Sequence, residues 1–183
     1  TVLQIARSWQ PAEAAWISTA AHVLRVKGAD ALEAAQAEGA RGDLLFAQGK
    51  HRLAETAYHR ALAIVLAKRD ADSDEVLNLN MRIARMVREQ GRNEEAIKLY
   101  ADIAQRRGRT LGERSPSTLA DRSNLASALF AAGRQAESLA ELGRLHATVM
   151  EVYGPEASET ARSAGGLAVA LGPGWPQPRG RWP

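Results

Sequence analysis

Between Ser115 and Val149 the apolar positions follow two helical stripes. Leu125, Ala126 and Leu129 form one face of a first helix, and Leu139, Leu142, Leu145 and Val149 recur at steps of three and four on a second. Gly133 stands between them, where a glycine allows the sharp reversal that a side chain hinders. Ser115 followed by Pro116 starts the first helix: serine accepts hydrogen bonds from free N–H groups, and proline at the first helical position has no N–H to leave unsatisfied. The pattern predicts an antiparallel helix pair.

The pair is one copy of several. Gly49, Gly91 and Gly133 are spaced 42 residues apart, with no gap in the register around them. Tyr58, Tyr100 and Leu142 share one position of that register, and Trp16 falls on it one copy earlier. Small residues share others: Ala12, Ala54, Ala96 and Ser138 at one, Gly42, Ala84, Ala126 and Ala168 at another. The loop "LGERSPST" at Leu111 returns as "YGPEASET" at Tyr153. Ser73, with Asp74 and Glu75 behind it, is expected to cap a helix as Ser115 does and to add negative charge at the positive helix end.

Composition narrows the class further. With 45% hydrophobic residues the chain of 183 is expected to fold, and an aromatic share of 5% favours close-packed helices over sheets. The absence of cysteine excludes disulfides, thiolate metal sites and cysteine nucleophiles. A net charge of +3, from 24 basic and 21 acidic residues, is too small an excess to point to nucleic acid. No apolar run approaches the ~20 residues that span a bilayer, and no signal peptide is visible at the start, so the expected location is cytoplasmic. His22, His51, His59 and His146 have no second ligand at a metal-site spacing, and no phosphate loop or catalytic motif occurs. The expectation is a protein without enzymatic activity, cofactor or metal.

The 42-residue unit resembles the tetratricopeptide repeat of the kinesin-light-chain type. Gly42, Ala84, Ala126 and Ala168 match its small crossing position, Tyr58 and Tyr100 its aromatic position, and Asn124-Leu125-Ala126 its Asn-Leu-Ala signature. The resemblance implies an all-α fold of about seven to eight helices, antiparallel pairs stacked as a right-handed solenoid. It divides the chain into an N-terminal half-repeat helix at 1–29, an array at 30–171 and a tail rich in Pro, Trp and Arg at 172–183.

It also implies a protein or peptide ligand in a groove lined by the first helix of each pair. Carried over position by position, that groove holds Gln36, Gly39, Asp43 and Phe46, then Asn78, Met81, Arg82, Arg85 and Arg88, then Ser123, Asn124, Ser127 and Phe130, and last Arg162 and Val169. Arg82, Arg85 and Arg88 suit carboxylates and so an acidic ligand, Asn124 suits ligand backbone, and Phe46 and Phe130 suit apolar contacts. The alternative for the arginines is pairing within the array, to Asp43 and Glu89; for the phenylalanines it is packing between helices.

A different class of function is self-association into a homodimer through the array ends or the tail. Leu167, Val169 and Leu171 on the last helix require cover, and Trp175 and Trp182 are large apolar anchors. Nucleic-acid binding through Arg106, Arg107 and Arg109 ranks last, because no aromatics are interleaved with them.

Overall fold

A computed structural model describes residues 32–171, and all regular structure within them is α-helical. The helices are α1 (Leu32–Ala47), α2 (His51–Leu66), α3 (Asp74–Glu89), α4 (Asn93–Leu111), α5 (Pro116–Ala131), α6 (Gln135–Tyr153) and α7 (Ser158–Leu171). The segment expected to form an N-terminal helix, with Trp16 and His22, and the tail with Trp175 and Trp182 lie outside the described residues. The described chain groups into two compact units, 32–92 with α1 to α3 and 93–171 with α4 to α7.

The glycine register has a direct structural cause. Gly49, Gly91 and Gly133 adopt φ of 71°, 77° and 77°, the left-handed region in which a Cβ is strained. Each closes a helix in the same way. The N–H after the glycine bonds back to a carbonyl five residues earlier, Lys50 to Leu45 at 2.9 Å, Arg92 to Val87 at 3.1 Å and Arg134 to Leu129 at 2.9 Å. This is the Schellman arrangement, which satisfies carbonyls that the helix end would leave bare.

In the 32–92 unit, α1 and α2 approach closely because their contact is made by small residues. Gly42, Ala54, Ala57 and Ala61 are all buried there. The Tyr58 ring, 2% exposed, lies against Gly42, and a Cβ at that position would stand inside contact distance of three ring atoms. Val65 and Val76 join Ala35 and Ala61 in the core, with Leu32, Leu62, Ile64 and Leu79 packed around them.

In the 93–171 unit the apolar stripe of α6 meets α5, and Leu119, Leu145 and Val149 form a core flanked by Leu142. The repeated loop is held by a repeated bond: the buried hydroxyls of Thr118 and Thr160 donate to the carbonyls of Gly112 and Gly154, at 2.9 and 2.7 Å. Ser138 replaces alanine at a crossing position without a buried unpaired hydroxyl, because its Oγ donates to the Ala126 carbonyl at 2.8 Å.

The two expected serine caps differ. Ser115 Oγ accepts from the Thr118 N–H at 3.2 Å and lies 2.8 Å from the Thr118 hydroxyl. Ser73 has the same extended backbone, φ −63° and ψ 150°, but its Oγ makes no capping bond. The residue three positions on is Val76, which has no hydroxyl to hold Ser73 in place. The start of α3 is therefore favoured by Asp74 and Glu75 beside the helix dipole and not by its serine.

Candidate peptide-binding grooves

Between α1 and α3, over the C-terminal half of α2, lies a groove of about 460 Å³. Its floor is apolar, with Leu32, Ala35, Val65 and Leu79. Its walls carry Gln36, Gly39, Ala40 and Asp43 from α1 and Glu75, Asn78 and Arg82 from α3, and Arg69 lines it from the turn after α2. Five of the groove residues expected from the sequence are thus brought together: Gln36, Gly39, Asp43, Asn78 and Arg82. Gly39 keeps the wall low, since a Cβ there would meet only open space.

Charge is concentrated at the rim. Asp43 Oδ1 accepts a hydrogen bond from Tyr58 OH at 2.8 Å and another from Arg82 Nη1. The Arg82 guanidinium also lies over the Tyr58 ring, 5.7 Å from its centroid. Burial and the Asp43 carboxylate together push the Tyr58 hydroxyl up from 10.0 to about 12. Desolvation works against the charged form of Arg82, but bonding to Asp43 and Tyr58 outweighs it and raises its pKa.

Phe46, Arg85 and Arg88 do not line this groove. Arg85 stacks its guanidinium on the Phe46 ring, 4.2 Å from the centroid, and the other neighbour of that ring is His51 at 5.8 Å. Arg88 pairs with Glu89 at 2.9 Å, and the Glu89 carboxyl is held below its usual range by that bond, with Arg85 and His51 adding to the effect. Two of the three arginines therefore have carboxylate partners within the chain, Asp43 and Glu89. Arg85 instead lies on an aromatic face, and no carboxylate among the described residues is at ion-pair distance from it.

A second groove, of about 450 Å³, occupies the equivalent place in the 93–171 unit, between α5 and α7 over α6. Leu119, Val149, Ser123, Asn124, Arg162 and Gly166 stand where Ala35, Val65, Gly39, Ala40, Asn78 and Arg82 stand in the first, 84 residues earlier. The expected residues Ser123, Asn124 and Arg162 all line it. Arg162 is 3.8 Å from Glu159 with its side chain 75% exposed, and Ser163 Oγ lies 2.8 Å from His146 Nδ1. Ser127 turns its hydroxyl back to the Ser123 carbonyl at 2.9 Å, and Phe130 is exposed, so neither forms a wall. On α7, Leu167 and Leu171 are half-buried, whereas Val169 is 73% exposed.

The expected groove positions did not include the apolar floors, nor the polar and aromatic lining residues Arg69, Glu75, Tyr153, Glu159 and Ser163. Arg69 and Tyr153 share one register position, which falls in the turn after α2 and on the last residue of α6. Following the period at that position, and not only along first helices, finds them.

The basic stretch near Arg107 requires correction. Arg107 is 5% exposed and its Nε lies 3.0 Å from Oδ2 of the equally buried Asp121. Arg106 pairs with Asp102 at 3.1 Å. A buried, paired guanidinium cannot reach a phosphate backbone, so these arginines do not form the row that nucleic-acid contact needs. Among the described residues no group of three or more His, Cys, Asp or Glu side chains is placed to hold a metal ion, and no helix is long and apolar enough to cross a membrane.

Residues 75–147 match the family model of the tetratricopeptide repeat. Among solved structures, the nearly identical TPR-like repeats of a protein assigned as a kinesin light chain from Podosopora anserina superpose with a TM-score of 0.77 at 20% identity, covering 92% of this chain and 82% of that one. A point variant of the same protein gives the same values. BtubC (BKLC) from P. vanneervenii matches with a TM-score of 0.68 at 17% identity, over 88% of this chain and 63% of that one. At these identities the likeness is one of fold. No curated protein matches the chain in sequence.

Proposed function

We propose that this chain, built of tetratricopeptide repeats of the kinesin-light-chain-like type, binds an acidic segment of a partner protein on the 32–92 unit and performs no chemistry itself. Repeats of this kind are generally protein-interaction modules, and the acidic ligand is read from the side chains. The observation that carries it is Arg85 on Phe46. Stacking on a ring orients the guanidinium while its in-plane N–H donors stay available for a carboxylate. The apolar floor of the adjacent groove accommodates the ligand's non-polar side chains, and Gln36 and Asn78 offer amides to its backbone.

The test is fluorescence anisotropy with a labelled octapeptide of Asp, Glu, Leu and Gly. Arg85→Gln is expected to weaken binding about tenfold and to flatten its salt dependence, since one charge-assisted contact is removed. Equal affinity for the wild type and the variant overturns the role of Arg85.

Self-association is favoured by a separate observation, the 73% exposure of Val169 on α7 next to half-buried Leu167 and Leu171. In this reading a second copy covers that face. Light scattering is expected to show a dimer that Val169→Glu converts to monomer, and a wild type that stays monomeric at 100 µM, so that association contributes less than roughly 5.5 kcal/mol, rules it out.

A further inference from the structure

We propose that Asp43 is an internal competitor for acidic ligands: its carboxylate occupies the guanidinium of Arg82 at the groove rim, where a ligand carboxylate would otherwise bind. The inference rests on the acidic-ligand reading above and assigns it a built-in restraint.

Asp43 is confined to the first repeat. The same register position holds Arg85, Ser127 and Val169 in the later ones, and the positions equivalent to Arg82 hold Asn124 and Gly166. The clasp is thus a local feature of one groove and not a requirement of the fold. Both partners line that groove, and both are well exposed, 56% of the Asp43 side chain and 45% of that of Arg82. Ion pairs so placed are weak because water screens each charge, so an incoming carboxylate can exchange with the resident one.

The geometry also says which partner moves. Tyr58 is locked by its burial against Gly42, and its hydroxyl holds Asp43 Oδ1 at 2.8 Å. The carboxylate therefore stays while the Arg82 side chain swings from it to the ligand. Each exchange replaces one carboxylate contact by another at Arg82, so the net gain there is small. At Arg85, which has no carboxylate at ion-pair distance and feels only the more distant charge of Glu89, the gain is larger. Asp43 thereby sets a threshold: a ligand with one acidic group gains mainly from Arg85, and Arg82 contributes only against this internal competition.

The experiment compares the wild type, Asp43→Asn, Arg82→Gln and the double variant, in the full chain, with the same labelled peptide at low and moderate salt. Asn keeps the size of Asp43 and a carbonyl that accepts from Tyr58 OH, so the fold is retained, and matching thermal melts confirm it. Asp43→Asn is expected to bind about three- to tenfold tighter, with steeper salt dependence, and Arg82→Gln is expected to abolish that gain. A gain that survives Arg82→Gln reflects net charge alone and overturns the proposal. Unchanged or weaker binding by Asp43→Asn, with the wild type still binding, overturns the competitor and leaves the acidic-ligand reading standing. No binding by any of the four proteins overturns both.

Discussion

Asp121→Ala is expected to lower the unfolding free energy of the 93–171 unit by about 3–5 kcal/mol, read as a fall in the urea midpoint at pH 7. The side chains of Arg107 and Asp121 are only 7% and 5% exposed, and their charges face each other at 3.0 Å. Removing the carboxylate leaves a guanidinium that cannot lose its proton in a site with little access to water. The repeat itself supplies the control. Val65 and Val149 occupy the register position of Arg107, and Leu79 and Ser163 that of Asp121. In the first repeat Val65 is in the core and Leu79 packs against it. The double variant Arg107→Val with Asp121→Leu restores that apolar pair and is expected to be as stable as the wild type or up to about 4 kcal/mol more so, because two charges no longer have to be desolvated. A loss below about 1 kcal/mol in Asp121→Ala, within the range of solvated pairs, shows that the guanidinium has found water and that the pair is not held dry.

The same pair shows where the sequence is readable and where it stops. Period and helix ends are written in single residues: a glycine with φ near 77° every 42 residues, a serine before a proline, a threonine that pins the loop carbonyl. These are local, since the groups that satisfy one another lie within six residues. Side-chain partners are not local. Arg82, Arg85 and Arg88 look alike at steps of three, yet one meets a carboxylate 39 residues away, one an aromatic ring on another helix and one its own neighbour. The register says which face of which helix each occupies, and only the packing of α1 against α3 decides what is opposite. Arg107 stands at a core position of the register, and its partner lies one helix on, so its burial was legible only through Val65 and Val149. The grooves were legible as first-helix positions. Arg69 and Tyr153 were not, because one comes from the turn after a second helix and the other from the last residue of one.

Tyr58 joins the repeat's packing to its rim, and its truncation is expected to damage both. Tyr58→Ala removes a side chain that is 2% exposed and leaves a cavity against Gly42, for an expected loss of about 3–5 kcal/mol in the 32–92 unit. Tyr58→Phe separates the two roles. The ring stays, the hydrogen bond to Asp43 is lost, and a decrease of about 1.5–3 kcal/mol is expected at pH 7, as for bonds to charged acceptors. Alkaline titration then distinguishes the variants. The hydroxyl is raised from 10.0 to about 12 in the folded state, so the folded chain holds its proton more tightly than the unfolded one. The stability this contributes is complete below pH 10 and is lost as the pH rises through about 12, at about 1.4 kcal/mol per unit in between. Tyr58→Phe has no such proton, and its urea midpoint is expected to fall less than that of the wild type from pH 9 to 12. Parallel declines mean that the hydroxyl ionises as freely in the folded chain as in the unfolded one, which breaks the link from Gly42 through Tyr58 to the carboxylate that holds Arg82.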